Sequence, residues 1–201
     1  MKSKFKLSTQ GAKPEGLIGK IVGHLMNRFQ TSIYIDYFSH LTIPINAKIL
    51  DIGCGGGKFL NCLSKASKNS TLYGLDHSPE MVKLARRINQ KAIEQARMYI
   101  TRSSMPEIPF ENSTFDLVTA LETVQFWPGI DLAFQEVRRV LKNNGFLLII
   151  NRFPKEGSKW WKRVQIKNEK EYIQKLKKSG FNSIATDLNF KNSWIVVEAI
   201  K

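Results

Sequence analysis

Apolar positions recur at helical spacing from about Gly16 to Leu41: Leu17, Ile18, Ile21, Val22, Leu25, Met26 and Phe29, continued by Ile33, Tyr34, Tyr37, Phe38 and Leu41. This predicts two short amphipathic helices. After Pro44 the period changes. Residues 47–52 form a short apolar run that ends in Gly53-Cys54-Gly55-Gly56-Gly57, after which Phe59, Leu60, Cys62 and Leu63 return to helical spacing. That is a strand, a glycine turn and a helix. The alternation continues with a strand at 71–76, a helix from Pro79 to about Gln95, and strands at 97–101 and 115–121. A helix at 130–141 and a strand at 145–151 follow, the latter after the turn Asn143-Asn144-Gly145. Ser78 before Pro79 is an N-cap with proline at the first helical position. Strands apolar on both faces that alternate with helices belong to a parallel sheet covered on both sides. The end of the chain differs: a helix at 169–179 stops at Gly180, and strands at 181–188 and 193–200 flank Asn189-Phe190-Lys191-Asn192, an antiparallel hairpin that closes the sheet edge. The expected fold is α/β, a doubly wound, mostly parallel sheet of seven strands with an antiparallel C-terminal hairpin, helices on both faces and a helical N-terminal lid.

Composition narrows the function classes. A chain of 201 residues, 42% hydrophobic and 24% charged, is expected to build one packed core. No run of eighteen apolar residues occurs, and the start Met1-Lys2-Ser3-Lys4-Phe5-Lys6-Leu7 lacks the apolar stretch of a signal peptide, so a cytoplasmic chain without a membrane span is expected. Two cysteines, Cys54 and Cys62, without Cys-x-x-Cys spacing exclude a disulfide scaffold and a multi-thiolate metal site. The balance of 31 basic against 17 acidic residues, a net charge of +14, makes a nucleic-acid partner conceivable. The excess is uneven: seven basic and two acidic residues in 1–48, twelve and ten in 49–150, twelve and five in 151–201. Much of it is lysine on solvated helix faces, such as Lys170, Lys175, Lys177 and Lys178.

The chemistry concentrates in the first strand-to-helix turn, where glycines let backbone approach a ligand and where open α/β sheets bind theirs. A dinucleotide site needs Gly-x-Gly-x-x-Gly, but the last position is Lys58; a phosphate-binding P-loop fails because Gly57-Lys58 leads to Phe59. What stands is Asp51-x-Gly53-x-Gly55-x-Gly57, with a second acid, Asp76, at the end of the next strand. An ionised carboxylate there can accept hydrogen bonds from both hydroxyls of a ribose.

This arrangement resembles the class I, Rossmann-like S-adenosylmethionine-dependent methyltransferases. Residues 49–57 look like their first motif, and Tyr73-Gly74-Leu75-Asp76-His77-Ser78-Pro79-Glu80-Met81 like their ribose-acid segment. Residues 109–118 resemble the entry into the fourth strand, and residues 136–145 the helix and turn before the fifth. The likeness covers roughly 47–150 in order, with Ser179-Gly180-Phe181 and the hairpin similar to the family's ending, and it points to the small-molecule, ubiquinone/menaquinone-biosynthesis-like branch. The first fifteen residues, polar, Lys-rich and without period, read as a mobile tail, and the likeness implies one methyltransferase domain at 16–201, divided into an N-terminal helical lid at 16–45 and a Rossmann-like core at 46–201. It also implies S-adenosyl-L-methionine as cofactor. Asp51, Gly53, Cys54 and Gly55 would hold its methionine part, Asp76 the ribose, and His77 or Ser78 the adenine face, with Leu121 completing the cleft. The family often places an acid by the adenine amino group; here that slot holds Ser104, followed by Met105, a departure.

Methyl transfer from a sulfonium is an in-line displacement with a good leaving group, so alignment and exclusion of water dominate. A base is needed only for a protonated nucleophile. Glu122 and, on the lid, His40 are the candidate catalytic residues; Tyr37, Phe126 and Trp127 are the candidate acceptor wall, the aromatics by stacking or cation–π contact. Cys54 is expected to fill buried space, not to act as a nucleophile. Trp160 and Trp161, with Lys159, Lys162 and Arg163, line an entrance or pack a lid helix. No metal site is expected. A small-molecule acceptor is the leading expectation, with an RNA methyltransferase using the basic surface and a non-catalytic cofactor-binding protein as alternatives and a nicotinamide dehydrogenase a distant third.

Overall fold

A computed structural model describes residues 31–67, 69–153, 155–158, 161–162, 164–188 and 194–201. The expected tail at 1–15 and the first lid helix, with His24, Leu25 and Met26, lie outside the described residues, as do Lys159, Trp160, Arg163 and the hairpin turn at 189–193.

The elements are α1 (Thr31–Phe38), β1 (Lys48–Ile52), α2 (Lys58–Ala66), β2 (Thr71–Asp76), α3 (Pro79–Ile88), α4 (Gln90–Glu94), β3 (Met98–Arg102) and β4 (Phe115–Leu121). A single 3₁₀ turn at Val124–Phe126 follows, then α5 (Ile130–Val140), β5 (Leu141–Arg152), α6 (Glu169–Lys178), β6 (Asn182–Asp187) and β7 (Trp194–Ile200). One seven-stranded sheet has the order β3-β2-β1-β4-β5-β7-β6. The first five strands pair in parallel, and β7 pairs antiparallel with both β5 and β6. β1 is apolar on both faces because both are covered: Leu50 and Ile52 join the core that holds Phe134 and Val137 of α5, while Ile49 joins Phe59 and Leu60 of α2. The chain leaves β1 toward β2 on one side and returns to β4 on the other, so a topological switch opens at the C-terminal end of β1.

Three details differ from the pattern of the sequence. The expected helix from Pro79 to Gln95 breaks at Asn89, which is buried and whose Nδ2 donates to the carbonyls of Gly57 and Ala85, both at 2.9 Å. Those bonds close α3 and tie it to the end of the glycine loop. The turn at 143–145 lies inside β5: Phe115 pairs with Leu141 but Leu117 with Phe146, so the extra residues bulge out of the ladder, with Asn144 at φ 60°. The hairpin also closes the sheet from within. Its second strand, β7, is the buried one, and its first, β6, is the exposed edge. On the opposite face, α1 lays Tyr34 and Phe38 edge-on against Phe59, at centroid distances of 5.9 and 5.4 Å.

Candidate cofactor and acceptor site

The site is assembled where β1 and β2 end. Beyond Ile52, the Gly53 and Cys54 N–H groups donate to the Leu75 carbonyl at 2.7 and 2.9 Å, turning the chain back over the end of β2. Gly53 has φ +75°, and a Cβ there would meet Thr123 Cγ2 at 2.3 Å, because Thr123 leans in to donate from Oγ1 to the Ile52 carbonyl at 3.0 Å. Gly55 has φ +51°, yet a Cβ there would meet nothing within 4 Å. One glycine is needed for close packing of protein on protein; the other faces open space.

Two carboxyls flank this loop. Asp76 accepts from Ser78 N and Gly55 N, each at 2.9 Å, one on each oxygen. Burial raises its pKa, while those hydrogen bonds and His77, whose Nδ1 lies 3.8 Å away, pull it down. Each oxygen keeps a lone pair for a further donor. Asp51 is 3% exposed and accepts from Thr119 Oγ1 at 2.7 Å; burial, with the charge of Asp76 added, pushes it up to about 7. A donor or cation reaching the Asp76 carboxylate beside Gly55 would favour its ionised form. His77 is partly exposed next to them, and the Ser103 N–H donates to the Asp76 carbonyl at 3.1 Å, which carries the following loop to the same strand end: exposed Ser104, then buried Met105. Leu121 ends β4 and is buried. Cys54 is buried too, its thiol pushed well up by burial, and its Sγ fills the space over Gly74, 2.9 Å from where a Cβ would stand.

The expected catalytic and acceptor residues separate. Glu122 stands at the end of β4 with φ 60°, unusual for a non-glycine residue. Its carboxylate accepts from Arg152 N at 2.6 Å and Arg152 Nε at 2.9 Å, and the Arg152 guanidinium lies 5.4 Å from the Trp194 ring centroid. Glu122 thus joins the ends of β4 and β5, and burial raises its pKa while Arg152 opposes the shift. His40 lies in the exposed turn after α1, outside the buried cluster, because the helix ends before its side chain could turn inward. Tyr37 donates from its hydroxyl to Glu198 Oε1 at 2.8 Å, anchoring α1 to β7. Trp127 is 4% exposed and packs edge-on against Phe134 at 6.0 Å; the 3₁₀ turn rotates it into the core and leaves Phe126, 39% exposed, as the outward aromatic of that loop. The wall expected of Trp127 is therefore core.

Further polar groups gather here that motif reading did not single out. Tyr34 is buried, its hydroxyl has no hydrogen-bond partner among the described residues, and Glu122, Asp51 and Arg152 all act on it electrostatically. Among the described residues, Asn151, 2% exposed, donates from Nδ2 to Tyr172 Oη at 2.8 Å and has no partner at Oδ1, and Gln125 donates from Nε2 to the Glu122 carbonyl at 2.5 Å and has none at Oε1. Both amides line a recess, closed by Val124, Phe153, Val164 and Ile166, of about 300 Å³ including its open mouth. The available signal was the single polar residue closing the apolar run Leu147-Leu148-Ile149-Ile150-Asn151, at the strand end where ligands sit. Among the described residues no group of three or more His, Cys, Asp or Glu could hold a metal, and no helix is long and apolar enough to cross a membrane.

Residues 50–149 match the family described as a methyltransferase domain. The chain is 33% identical over 147 residues to YrhH of Bacillus subtilis, which is named as a methyltransferase, covering 72% of this chain and 74% of that one. It is 28% identical over 155 residues to the ubiquinone/menaquinone biosynthesis C-methyltransferase UbiE of Citrifermentans bemidjiense, covering 73% and 66%. It spans 34–49% of the length of four further methyltransferase relatives. A SAM-dependent methyltransferase from Aquifex aeolicus superposes with a TM-score of 0.70 at 22% identity, over 87% of this chain and 91% of that one, which speaks to the fold.

Proposed function

This chain belongs to the methyltransferase-domain family of S-adenosylmethionine-dependent proteins, and on that premise we propose that it transfers a methyl group from S-adenosylmethionine to a small-molecule acceptor, mainly by positioning. The observation that carries the reading is the cradle at Gly55: open space where a Cβ would stand, beside an Asp76 carboxylate fixed by the Gly55 and Ser78 N–H groups.

The residues fit the cofactor. Asp76 would take the ribose hydroxyls on its free lone pairs, and Asp51 with the Gly53–Gly55 backbone would take the methionine end. His77, Ser104 and Met105 would flank the adenine, with Leu121 as an apolar wall. When bound, the cofactor supplies a methyl activated on a sulfonium, with a neutral thioether as leaving group. The chain then has three tasks. Asp51 and Asp76 offset positive charge in a buried place, where the interaction is screened less than in water. Leu121 and the covering helix α1 exclude water. Phe126 and Tyr34 bound the side from which an acceptor approaches. Glu122, held by Arg152, sets the backbone of that side and is a positioning residue in this reading; His40 takes no part in it.

Calorimetric titration of the whole chain with S-adenosylmethionine and, separately, with NAD tests this. Saturable binding of the first only, weakened about a hundredfold or more in Asp76→Ala, is the expected result. Preference for NAD, or no binding of either, overturns the reading.

A further inference from the structure

Resting on that reading, we propose that Tyr34 is a positioning residue that ties α1 to the loaded site: its hydroxyl, which has no hydrogen-bond partner among the described residues, donates to the Asp51 carboxylate when S-adenosylmethionine binds. Alternate residues of a strand share a face of the sheet. Ile49, Leu121, Ile150 and Trp194 pack with Tyr34 and Phe38 on the face that α1 covers. Asp51, two residues beyond Ile49, and Arg152, two beyond Ile150, therefore point to that same face at the strand ends. The Tyr34 ring lies there edge-on to Phe59, at 5.9 Å, and to Trp194, at 6.3 Å. Burial pushes its phenol above the usual range, the charges of Glu122 and Asp51 push it further and Arg152 opposes them. All three groups thus lie within electrostatic reach of the hydroxyl, which stays a donor. Because the hydroxyl is buried, it acts through Asp51 and does not touch the cofactor.

The choice between the two carboxyls follows from what each already accepts. Glu122 takes Arg152 N on one oxygen and Arg152 Nε on the other. Asp51 takes Thr119 Oγ1 on one oxygen and, among the described residues, nothing on the other. Burial pushes Asp51 up to about 7, with Thr119 opposing and Asp76 adding, so at slightly acid pH it is a carboxylic acid and needs no second donor. The net positive charge of S-adenosylmethionine, a sulfonium and an ammonium against one carboxylate, favours the ionised form. Asp51 then gives its proton to the solvent, and a buried carboxylate with one hydrogen bond requires another donor. Tyr34 has an unused O–H on that face. The other titratable groups around Asp51 are Asp76 of β2 and Cys54 of the glycine loop, with His77 acting on Asp76, and Glu122 and Arg152 on Tyr34.

The test is a double-mutant cycle on the whole chain with Tyr34→Phe, Asp51→Asn and the two together. Each protein is titrated calorimetrically with S-adenosylmethionine at about pH 6.5 in buffers of different ionisation enthalpy, which reads affinity and protons released together. In the parent, binding is expected to release more than about half a proton, and Asp51→Asn to remove that release. Tyr34→Phe is expected to weaken binding about tenfold and to lower the release, because loss of a donor disfavours the carboxylate. In the Asp51→Asn background the same substitution is expected to cost less than about threefold. Without cofactor, Tyr34→Phe is expected to melt at or above the temperature of the parent, followed by circular dichroism, since the hydroxyl it removes has no protein partner. A clearly lower melting temperature, as when a resident water or Glu122 already serves the hydroxyl, overturns the proposal. So does affinity and release in Tyr34→Phe equal to the parent's, or a tenfold loss that persists beside Asp51→Asn. The parent separates the two levels. If it does not bind S-adenosylmethionine, the methyltransferase reading falls and this one with it; if it binds and the cycle shows no coupling, only the role of Tyr34 falls.

Discussion

Replacing Asp51 by asparagine is expected to stabilise the fold above neutral pH while weakening cofactor binding. The carboxyl is 3% exposed and, among the described residues, takes a single side-chain hydrogen bond, from Thr119. Burial places its titration near 7, against about 4 for an aspartate in an unfolded chain. The folded chain therefore holds this proton more tightly than the unfolded chain. The resulting stabilisation is fully present below about pH 4 and is lost as pH rises through about 7. Ionising the group in place costs at most about 4 kcal/mol, from roughly three pH units at 1.36 kcal/mol each. Asparagine keeps the oxygen that Thr119 addresses and carries no charge, so it avoids the loss. At about pH 8 the variant should melt several degrees above the parent, since 1 kcal/mol moves Tm by about 2–4 °C in a chain of this size. The difference should shrink toward about pH 5. Thermal unfolding of both proteins across that range, followed by circular dichroism, reads it directly. A variant less stable than the parent at about pH 8, or a difference that does not change with pH, would refute the account of Asp51 as a buried acid held in readiness for a cation.

The two glycines give a contrast. Gly53→Ala should lower stability by about 1–3 kcal/mol, because its Cβ collides with Thr123 at a left-handed φ, whereas Gly55→Ala should fold with a loss of about 1 kcal/mol yet bind S-adenosylmethionine at least tenfold more weakly; denaturant titration and calorimetry separate the two effects. Trp127→Ala should destabilise the fold by about 3–5 kcal/mol, as expected of a core aromatic, while Phe126→Ala should leave stability within about 1 kcal/mol and act on acceptor KM instead.

Much of the fold was legible because strands buried on both faces read as unbroken apolar runs, and Ser78-Pro79 marks a helix start in any context. What escaped was tertiary. Asn89 breaks a helix that its neighbours would continue, because its amide finds the Gly57 carbonyl across the loop. Nothing local says that β7 rather than β6 lies inside the sheet, since strand order is decided by packing against β5. At the site, the glycine loop, Asp51 and Asp76 announce themselves by spacing along the chain. Phe126 and Trp127 are adjacent in sequence, and only the 3₁₀ turn decides which ring goes in and which goes out. Asn151 and Gln125 come from different strand ends and meet only in the folded chain, so no motif could join them.

The place of β7 between β5 and β6 also sets an order of events. Among the described residues β6 pairs with β7 alone, so it has no partner in the sheet until a strand made after it has arrived. Meanwhile the edge of β5, with Leu147, Leu148, Ile149 and Ile150, stands open. At about 5–20 residues per second, the roughly forty residues between Arg152 and Trp194 take about 2–8 s to emerge. Throughout that interval an apolar edge is available to another nascent chain. The polar, mostly exposed face of β6 keeps the waiting strand soluble. The hazard of this topology thus lies in synthesis, in the seconds before its buried strand arrives, and not in the finished sheet.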